Sequence, residues 1–160
     1  MYYDPPGGYG PPMFSTIVVG TDGSDTADRA VNRAAGLARL SGARLHVVSA
    51  YSPENVRLAG GPAPEASDWS IGSDYKVNSV LQSTIARLSG EGIEIAQHAP
   101  KGDPADGIIE VATREQADLI VLGSKGMQGA RRVLGSVPNK VSHHAPCDLL
   151  IVNTTAQVGS

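Results

Sequence analysis

The sequence has little of what several classes of protein depend on. A single cysteine among its 160 residues rules out an internal disulfide, so we expect a reducing, cytoplasmic setting. The net charge of −3 and the scarcity of aromatic residues provide neither a basic surface nor base-stacking side chains, so no nucleic-acid partner is predicted. The apolar runs are far shorter than a membrane span, and the first residues lack the apolar stretch of a secretory signal, so we expect no membrane segment.

The one cysteine, Cys147, lies just before the last predicted strand. It could act as a redox nucleophile, or it could be a small apolar residue of the core. The second interpretation is favoured because unpaired cysteines are usually buried and unreactive.

The composition divides the chain into one domain and two tails. Residues 1–13 are rich in proline, glycine and tyrosine. The prolines and glycines sustain neither helix nor strand, so a disordered tail is predicted. Residues 14–153 are predicted to form a single domain, a length that can bury a full core. Residues 154–160 are predicted to form a short C-terminal tail.

Strand-like and helix-like patterns alternate through the domain. Short apolar runs predict buried strands, and apolar residues spaced three or four apart predict helices between them. This alternation indicates right-handed crossovers and a single doubly wound, five-stranded parallel sheet with helices on both faces, the class α/β. The third strand alternates apolar and polar residues, which is typical of a sheet edge. The predicted strands are residues 16–19, 45–50, 93–97, 118–122 and 148–152, and the predicted helices are residues 25–41, 73–89, 104–116 and 136–144.

Capping residues and a long connection complete the predicted layout. Ser24 or Asp25 can cap the first helix, and Asp103 followed by Pro104 is typical of a helix start. Residues 51–72 are rich in Gly, Pro and Ser, so a long loop that contains Trp69 is predicted.

Two glycine-rich connections follow the first and fourth strands, which the doubly wound orders make neighbours. One starts at Gly20, and the other runs from Gly123 to Gly135, where the next helix begins. Glycine lets backbone amides approach a ligand, and a helix start adds free donors and the positive end of its dipole. Because ligands bind where the strand order reverses, we predict a phosphate site there, with a plain strand-to-helix connection as the alternative. Three basic residues lie in the second loop: Lys125, Arg131 and Arg132.

Three segments of the chain resemble the universal stress protein family. They are VVGTDGSDTADRAVNRAAGLA at residues 18–38, GDPADGIIEVA at residues 102–112 and LIVLGSKGMQGARRVLGSVPNKVSHHAPCDLLIV at residues 119–152. The resemblance extends over residues 14–153. It implies an adenine nucleotide alpha hydrolase-like sheet with the strand order 3-2-1-4-5, a dimer and, in some members, a bound adenine nucleotide.

The resemblance also implies a nucleotide site on the matching residues. Asp22 would accept hydrogen bonds from ribose or adenine, unless it caps the first helix. Lys125 would pair with phosphate or be a solvated loop lysine, and Gly102 would lie near the sugar or serve a turn. The complete implied set is Gly20, Thr21, Asp22, Ala50, Gly102, Gly123, Lys125, Gly126, Gly135, Ser136 and Val137.

The phosphate loop departs from the family pattern in length. In the ATP-binding branch, nine residues separate the second loop glycine from the final Gly-Ser. Here Gly123 and Gly126 match the start and Gly135 and Ser136 match the end, but eight residues separate Gly126 from Gly135. The missing residue could be absorbed by a tighter turn at Gly129, or it could alter which phosphates fit.

Together these features predict a cytoplasmic stress-response protein that binds ATP, AMP or cyclic AMP as a regulatory ligand, with Mg²⁺ able to bridge the phosphates. No general base is evident beside the phosphate loop, so we assign no catalytic residue and expect little or no ATP hydrolysis. The spacing of His143, His144 and Cys147 matches no zinc site, so no protein-held metal is predicted. A slow ATPase and a nucleotide-free dimeric interaction protein stay open as alternatives.

A homodimer is predicted through the fifth strand. Residues 149–152 are all apolar, yet the family topology places this strand at a sheet edge. Exposed apolar edges invite pairing with another chain.

Overall fold

A computed structural model describes residues 13–50, 66–124 and 134–154, with the backbone only for residues 66–74. Strands and helices alternate along this part of the chain. The strands are β1 (Thr16–Gly20), β2 (Arg44–Val48), β3 (Ile95–His98), β4 (Leu119–Gly123) and β5 (Asp148–Val152). The helices are α1 (Asp25–Ser41), α2 (Ala66–Leu88), α3 (Pro104–Arg114) and α4 (Ser136–His144).

The strands form one parallel sheet in the order β3-β2-β1-β4-β5. This order confirms the predicted doubly wound sheet, with β3 and β5 as its edges. The order reverses between β1 and β4, where Val19 lies beside Val121. Chain connections leave these two strands in opposite directions, so a cleft can open at their carboxyl ends.

The sheet is covered on both faces, as its continuous apolar strands predict. Ile17, Val18 and Val19 of β1 and Ile120 and Val121 of β4 are fully inaccessible to solvent. α1 and α2 contribute to the hydrophobic core on one face, and α3 and α4 contribute to the core on the other. The buried side of α1 consists largely of alanine, which lets the helix approach the sheet closely.

Two predicted helix caps are confirmed by hydrogen bonds. Ser24 Oγ accepts from Ala27 N at 3.2 Å, so Ser24 is the cap of α1. Asp103 Oδ1 accepts from Asp106 N at 3.1 Å at the start of α3. α1 ends at Gly42, whose φ of +71° is in the left-handed region that glycine adopts readily.

The start of α2 differs from the prediction. The helix begins at Ala66, so Trp69 lies in a helix and the predicted loop is shorter than expected. The predicted boundary at Gly72 rests on the Gly, Pro and Ser content of residues 51–72. A single glycine inside a helix costs only about 1 kcal/mol, which packing elsewhere along the helix can offset.

Several other elements also end one or two residues away from the predicted positions. β2 stops at Val48 because its last pairing partner is His98, the final residue of β3. α3 stops at Arg114, and Gln116 has a φ of +53°, which a helix cannot continue through. None of the helices within residues 13–50, 66–124 and 134–154 combines the length and hydrophobicity needed to cross a membrane.

Gly23 and Gly36 provide a matched test of the loop after β1. Gly23 has a φ of +81°, and a Cβ there would lie 2.7 Å from Val80 Cγ2, whereas Gly36 inside α1 has open space at its Cβ position. We expect Gly23→Ala to lower the free energy of unfolding by about 1–3 kcal/mol through backbone strain and this clash. Gly36→Ala should raise it by about 0.5–1 kcal/mol. Chemical denaturation measures both changes, and equal effects would contradict the packing described.

Candidate functional site

A cleft of about 690 Å³ opens at the carboxyl ends of β1 and β4. Its size lies within the range typical of small-molecule sites. The loop after β1 forms one wall and the start of α4 forms another, so two segments that are distant in sequence share one cavity. Predicted site residues that line the cleft are Gly20, Thr21, Asp22, Ala50, Gly123, Gly135, Ser136 and Val137.

Hydrogen bonds within the loop after β1 hold Asp22 at the cleft. Thr21 N donates to Val48 O at 2.9 Å, which extends the pairing of β1 and β2 by one residue. Ser24 N then donates to Asp22 Oδ1 at 2.9 Å, which turns the chain into α1. Because Ser24 caps the helix, Asp22 is not the capping residue, and its exposed carboxylate borders the cavity.

The start of α4 contributes backbone donors to the lining of the cleft. Gly135 is the N-cap residue, and no side chain of the described residues caps this helix. Asn139 N is already bonded to Gly135 O, and Pro138 has no N–H. Ser136 N and Val137 N are therefore the donors of the first turn, at the positive end of the helix dipole.

Packing explains why glycine occupies the ends of β1 and β4. A Cβ on Gly20 would lie 2.7 Å from Ile108 Cδ1 and 2.9 Å from Leu122 Cδ2. A Cβ on Gly123 would lie 2.9 Å from Thr154 Cγ2. Besides the predicted approach of a ligand, glycine at these two positions therefore lets α3 and the chain after β5 pack against the strand ends.

Three of the predicted site residues are not among the described residues that line the cleft. Lys125 and Gly126, like Gly129, Arg131 and Arg132, lie outside the described residues. Gly102 is not among the lining residues. Gly102 has a φ of +108°, a backbone conformation that glycine adopts readily. This supports the alternative prediction, that Gly102 serves a turn.

Lys76 of α2 lines the cleft but is absent from the predicted set. It adds an exposed cation to a cleft in which Asp22 is the other charged residue among the described lining residues. Nothing in the helical pattern around Lys76 distinguishes it from other exposed residues of α2, so no sequence signal marks its position at the cleft.

The buried Thr154 is a second lining residue that the sequence analysis misses. It is the first residue of the predicted C-terminal tail, yet only 6% of it is exposed. Thr154 N donates to Ser124 Oγ at 3.0 Å, and the two hydroxyls lie 3.4 Å apart. Ser124 N in turn donates to Val152 O at 2.9 Å. These bonds tie the end of β5 to the residue after β4, at the base of the cleft.

Cys147 is half-buried rather than fully buried. Burial raises the pKa of its thiol, and the negative charges of Asp148 and Asp118 raise it further. The thiolate is the reactive form, so this environment disfavours the redox role and favours an inert side chain.

We therefore expect Cys147 to react with a thiol reagent such as DTNB more slowly in the folded protein than in urea. Because the chain has one cysteine, the measured rate belongs to this residue alone. Asp148→Asn removes one of the charges that raise the thiol pKa and should speed the reaction. Equal rates for folded and unfolded protein would show that the thiol is not shielded.

The sheet order and the cleft define a doubly wound α/β protein of the kind that binds ligands where its strand order reverses. A sequence model of the universal stress protein family matches residues 13–153, and the chain belongs to that family.

Several relatives are similar over most of the chain. The universal stress protein Rv1636 of Mycobacterium tuberculosis is 37% identical over 144 residues, which are 89% of this chain and 98% of that protein. A crystal structure of a universal stress protein in complex with cAMP is 35% identical, covers 89% of this chain and 98% of that one, and gives a TM-score of 0.67. A universal stress protein of Archaeoglobus fulgidus in complex with dAMP is 26% identical, covers 88% and 99%, and gives a TM-score of 0.65.

Proposed function

We propose that this protein binds an adenine nucleotide in the cleft between the loop after β1 and the start of α4, as a regulatory ligand in a cytoplasmic stress response. The observation that carries the proposal is that an acidic side chain and the N-terminus of a helix, which no described side chain caps, line one cavity. A nucleotide has matching ends, because its nucleoside donates hydrogen bonds and its phosphate accepts them. The similar proteins with bound cAMP and dAMP support the same assignment.

The proposal places the nucleoside at the wall formed by β1 and β2. Asp22 would accept hydrogen bonds from the ribose or adenine, and the backbone at Thr21 and Ala50 would face the base edge. Apolar side chains that line the cleft offer a surface on which a base can pack. They are Val48, Ile108 and Leu122.

The proposal places the phosphate at the start of α4. Ser136 N and Val137 N donate from the positive end of the helix, and the Ser136 hydroxyl adds a donor of its own. Lys76 supplies positive charge from α2. Gly123, Lys125 and Gly126 remain part of the proposed phosphate loop, with Mg²⁺ as a bridge if the ligand carries several phosphates.

We assign the bound nucleotide a regulatory role and no turnover. Asp22 and Lys76 are the titratable side chains among the described residues that line the cleft. Asp22 already accepts a hydrogen bond from Ser24 N, an arrangement that suits positioning a ligand rather than activating water. The ligands of the similar structures, cAMP and dAMP, are monophosphates, which favours AMP or cyclic AMP over ATP as the preferred ligand.

Comparison of Ser136→Pro with Ser136→Ala tests the backbone N–H at the phosphate end. Proline is well tolerated at the first position of a helix, and Gly135, with ψ of 158°, already has the extended backbone that precedes proline. The change removes Ser136 N–H and its hydroxyl, whereas Ser136→Ala removes the hydroxyl only. By titration calorimetry, Ser136→Pro should weaken AMP binding about tenfold more than Ser136→Ala does, and adenosine binding should be unchanged.

A substitution of Asp22 tests the nucleoside end of the proposed site. Asp22→Ala should weaken AMP and adenosine alike. Asp25→Asn changes an exposed carboxylate at the start of α1 that does not line the cleft, so it should weaken neither. Circular dichroism of each variant confirms folding. If the wild-type protein gives no heat and no thermal shift with cAMP, AMP, ADP or ATP, the protein is instead a nucleotide-free interaction protein.

We also propose a homodimer formed through β5. This strand is an edge of the described sheet, and Leu149, Leu150 and Ile151 in it are only half-buried. Leu149 and Leu150 pack against the cores of the two faces, whereas Ile151 belongs to neither core of the described residues. An apolar side chain with this exposure on a sheet edge fits burial against a second copy.

Light scattering after size-exclusion chromatography measures the dimer directly. The wild-type protein should have twice the 16.5 kDa mass of one chain. Ile151→Lys should give the single-chain mass because a charge would be buried between the copies. Leu40→Lys, at a side chain of α1 that is 85% exposed, should leave the dimer intact. A single-chain mass for the wild-type protein at high concentration would refute the dimer.

A further inference from the structure

Three metal-ligating side chains meet at a place remote from the nucleotide cleft. His46 lies in the middle of β2, His98 ends β3, and Glu115 follows the last residue of α3. One ligand atom from each lies within 4.8 Å of the others. α3 separates the two places, because Pro104 at its start lines the cleft and Glu115 lies at its opposite end.

The two imidazoles of this cluster face each other. His46 Nδ1 and His98 Nε2 are 2.8 Å apart, and the ring centroids are 5.1 Å apart. His46 is only 2% exposed and is held firmly within the sheet. His98 and Glu115 are half-buried, so an ion can reach them from solvent.

We propose that His46, His98 and Glu115 bind a divalent transition-metal ion of the zinc type, through His46 Nδ1, His98 Nε2 and one carboxylate oxygen. Two imidazoles and one carboxylate form a zinc donor set that leaves the fourth position to water. Zinc bonds of about 2.0–2.2 Å in a tetrahedron place ligand atoms roughly 3.3 Å apart. The cluster reaches that spacing through small rotations of His98 and Glu115, the two accessible side chains.

The local environment favours the protonation state that binds metal. Burial lowers the pKa of His46 and of His98, because it disfavours the charged imidazolium, and the neutral ring is the form that binds metal. A bound ion would link three elements whose residues already meet at this point: β2, the edge strand β3 and the end of α3.

Arg114 competes with the ion for this cluster. Its Nη2 lies 3.2 Å from His98 Nδ1, and its Nε lies 3.4 Å from Glu115 Oε1. When His98 Nε2 binds metal, Nδ1 carries the proton, so the contact between two donors must break. Arg114 keeps a partner when it moves away, because Glu110 Oε1 lies 3.5 Å from its Nη1.

Calorimetric titration of the full chain with ZnCl₂ tests the site, with MgCl₂ as the comparison. The chain provides its own control, because its four histidines form two pairs, and His143 and His144 are exposed at the end of α4. Zinc should bind once per chain and magnesium should not, since imidazole ligands suit zinc and not magnesium. His98→Asn and Glu115→Gln should each weaken zinc binding by at least about tenfold. The double variant His143→Ala with His144→Ala should bind zinc as the wild-type protein does.

Arg114→Gln provides a test in the opposite direction. Removal of the competing guanidinium should strengthen zinc binding by several-fold, which loss of folding cannot imitate. Absence of zinc binding by the wild-type protein would overturn the proposal and leave the histidine contact as a hydrogen bond between β2 and β3. Zinc binding that is lost with His143 and His144 but kept in His98→Asn would overturn it as well.

Discussion

Parallel pairing of β1 with β4 is the constraint on which the rest of the structure depends. Parallel strands end at the same edge of a sheet, so this pairing makes the loops after both strands start side by side. Packing fixes the register of this pairing as well as hydrogen bonds do. Ile108 and Leu122 lie so close to Gly20 that a Cβ at this position would clash with both. A slip by one residue would bring a larger side chain to that position and separate α3 from the sheet.

Helix capping then determines the hydrogen-bonding groups that the two segments bring to the cleft: an acceptor from the loop after β1 and donors from the start of α4. Ser24 takes the capping role at α1, which leaves the Asp22 carboxylate at the cavity rather than above the helix. At α4 the cap is Gly135, which has no side chain to occupy the first amides, and Pro138 removes one competing donor. An acceptor on one wall and two donors at a positive helix end on the other suit a ligand with a hydroxyl-bearing sugar and an anion.

Much of this architecture could be predicted from the sequence because short-range sequence patterns determine it. Continuous apolar strands, alanine-rich helix faces, Ser24 and Asp103 each act through near neighbours, so they predict the sheet, the helices and the cleft. What sequence reasoning missed depends on contacts between distant residues. Lys76 and Thr154 reach the cleft only through the packing of α2 and the end of β5, and no motif spacing marks them. His46 and His98 lie 52 positions apart and meet only because β2 and β3 are paired.

The central claim is that one cavity holds a nucleoside at the end of β1 and its phosphate at the start of α4. Nuclear magnetic resonance of the amide groups during titration with AMP and with adenosine tests it most directly. The account predicts that the amides of Ser136 and Val137 shift strongly with AMP and little with adenosine, while those around Asp22 shift with both. Shifts of Ser136 and Val137 that are the same for both ligands, or shifts confined to residues outside the cleft, would contradict it.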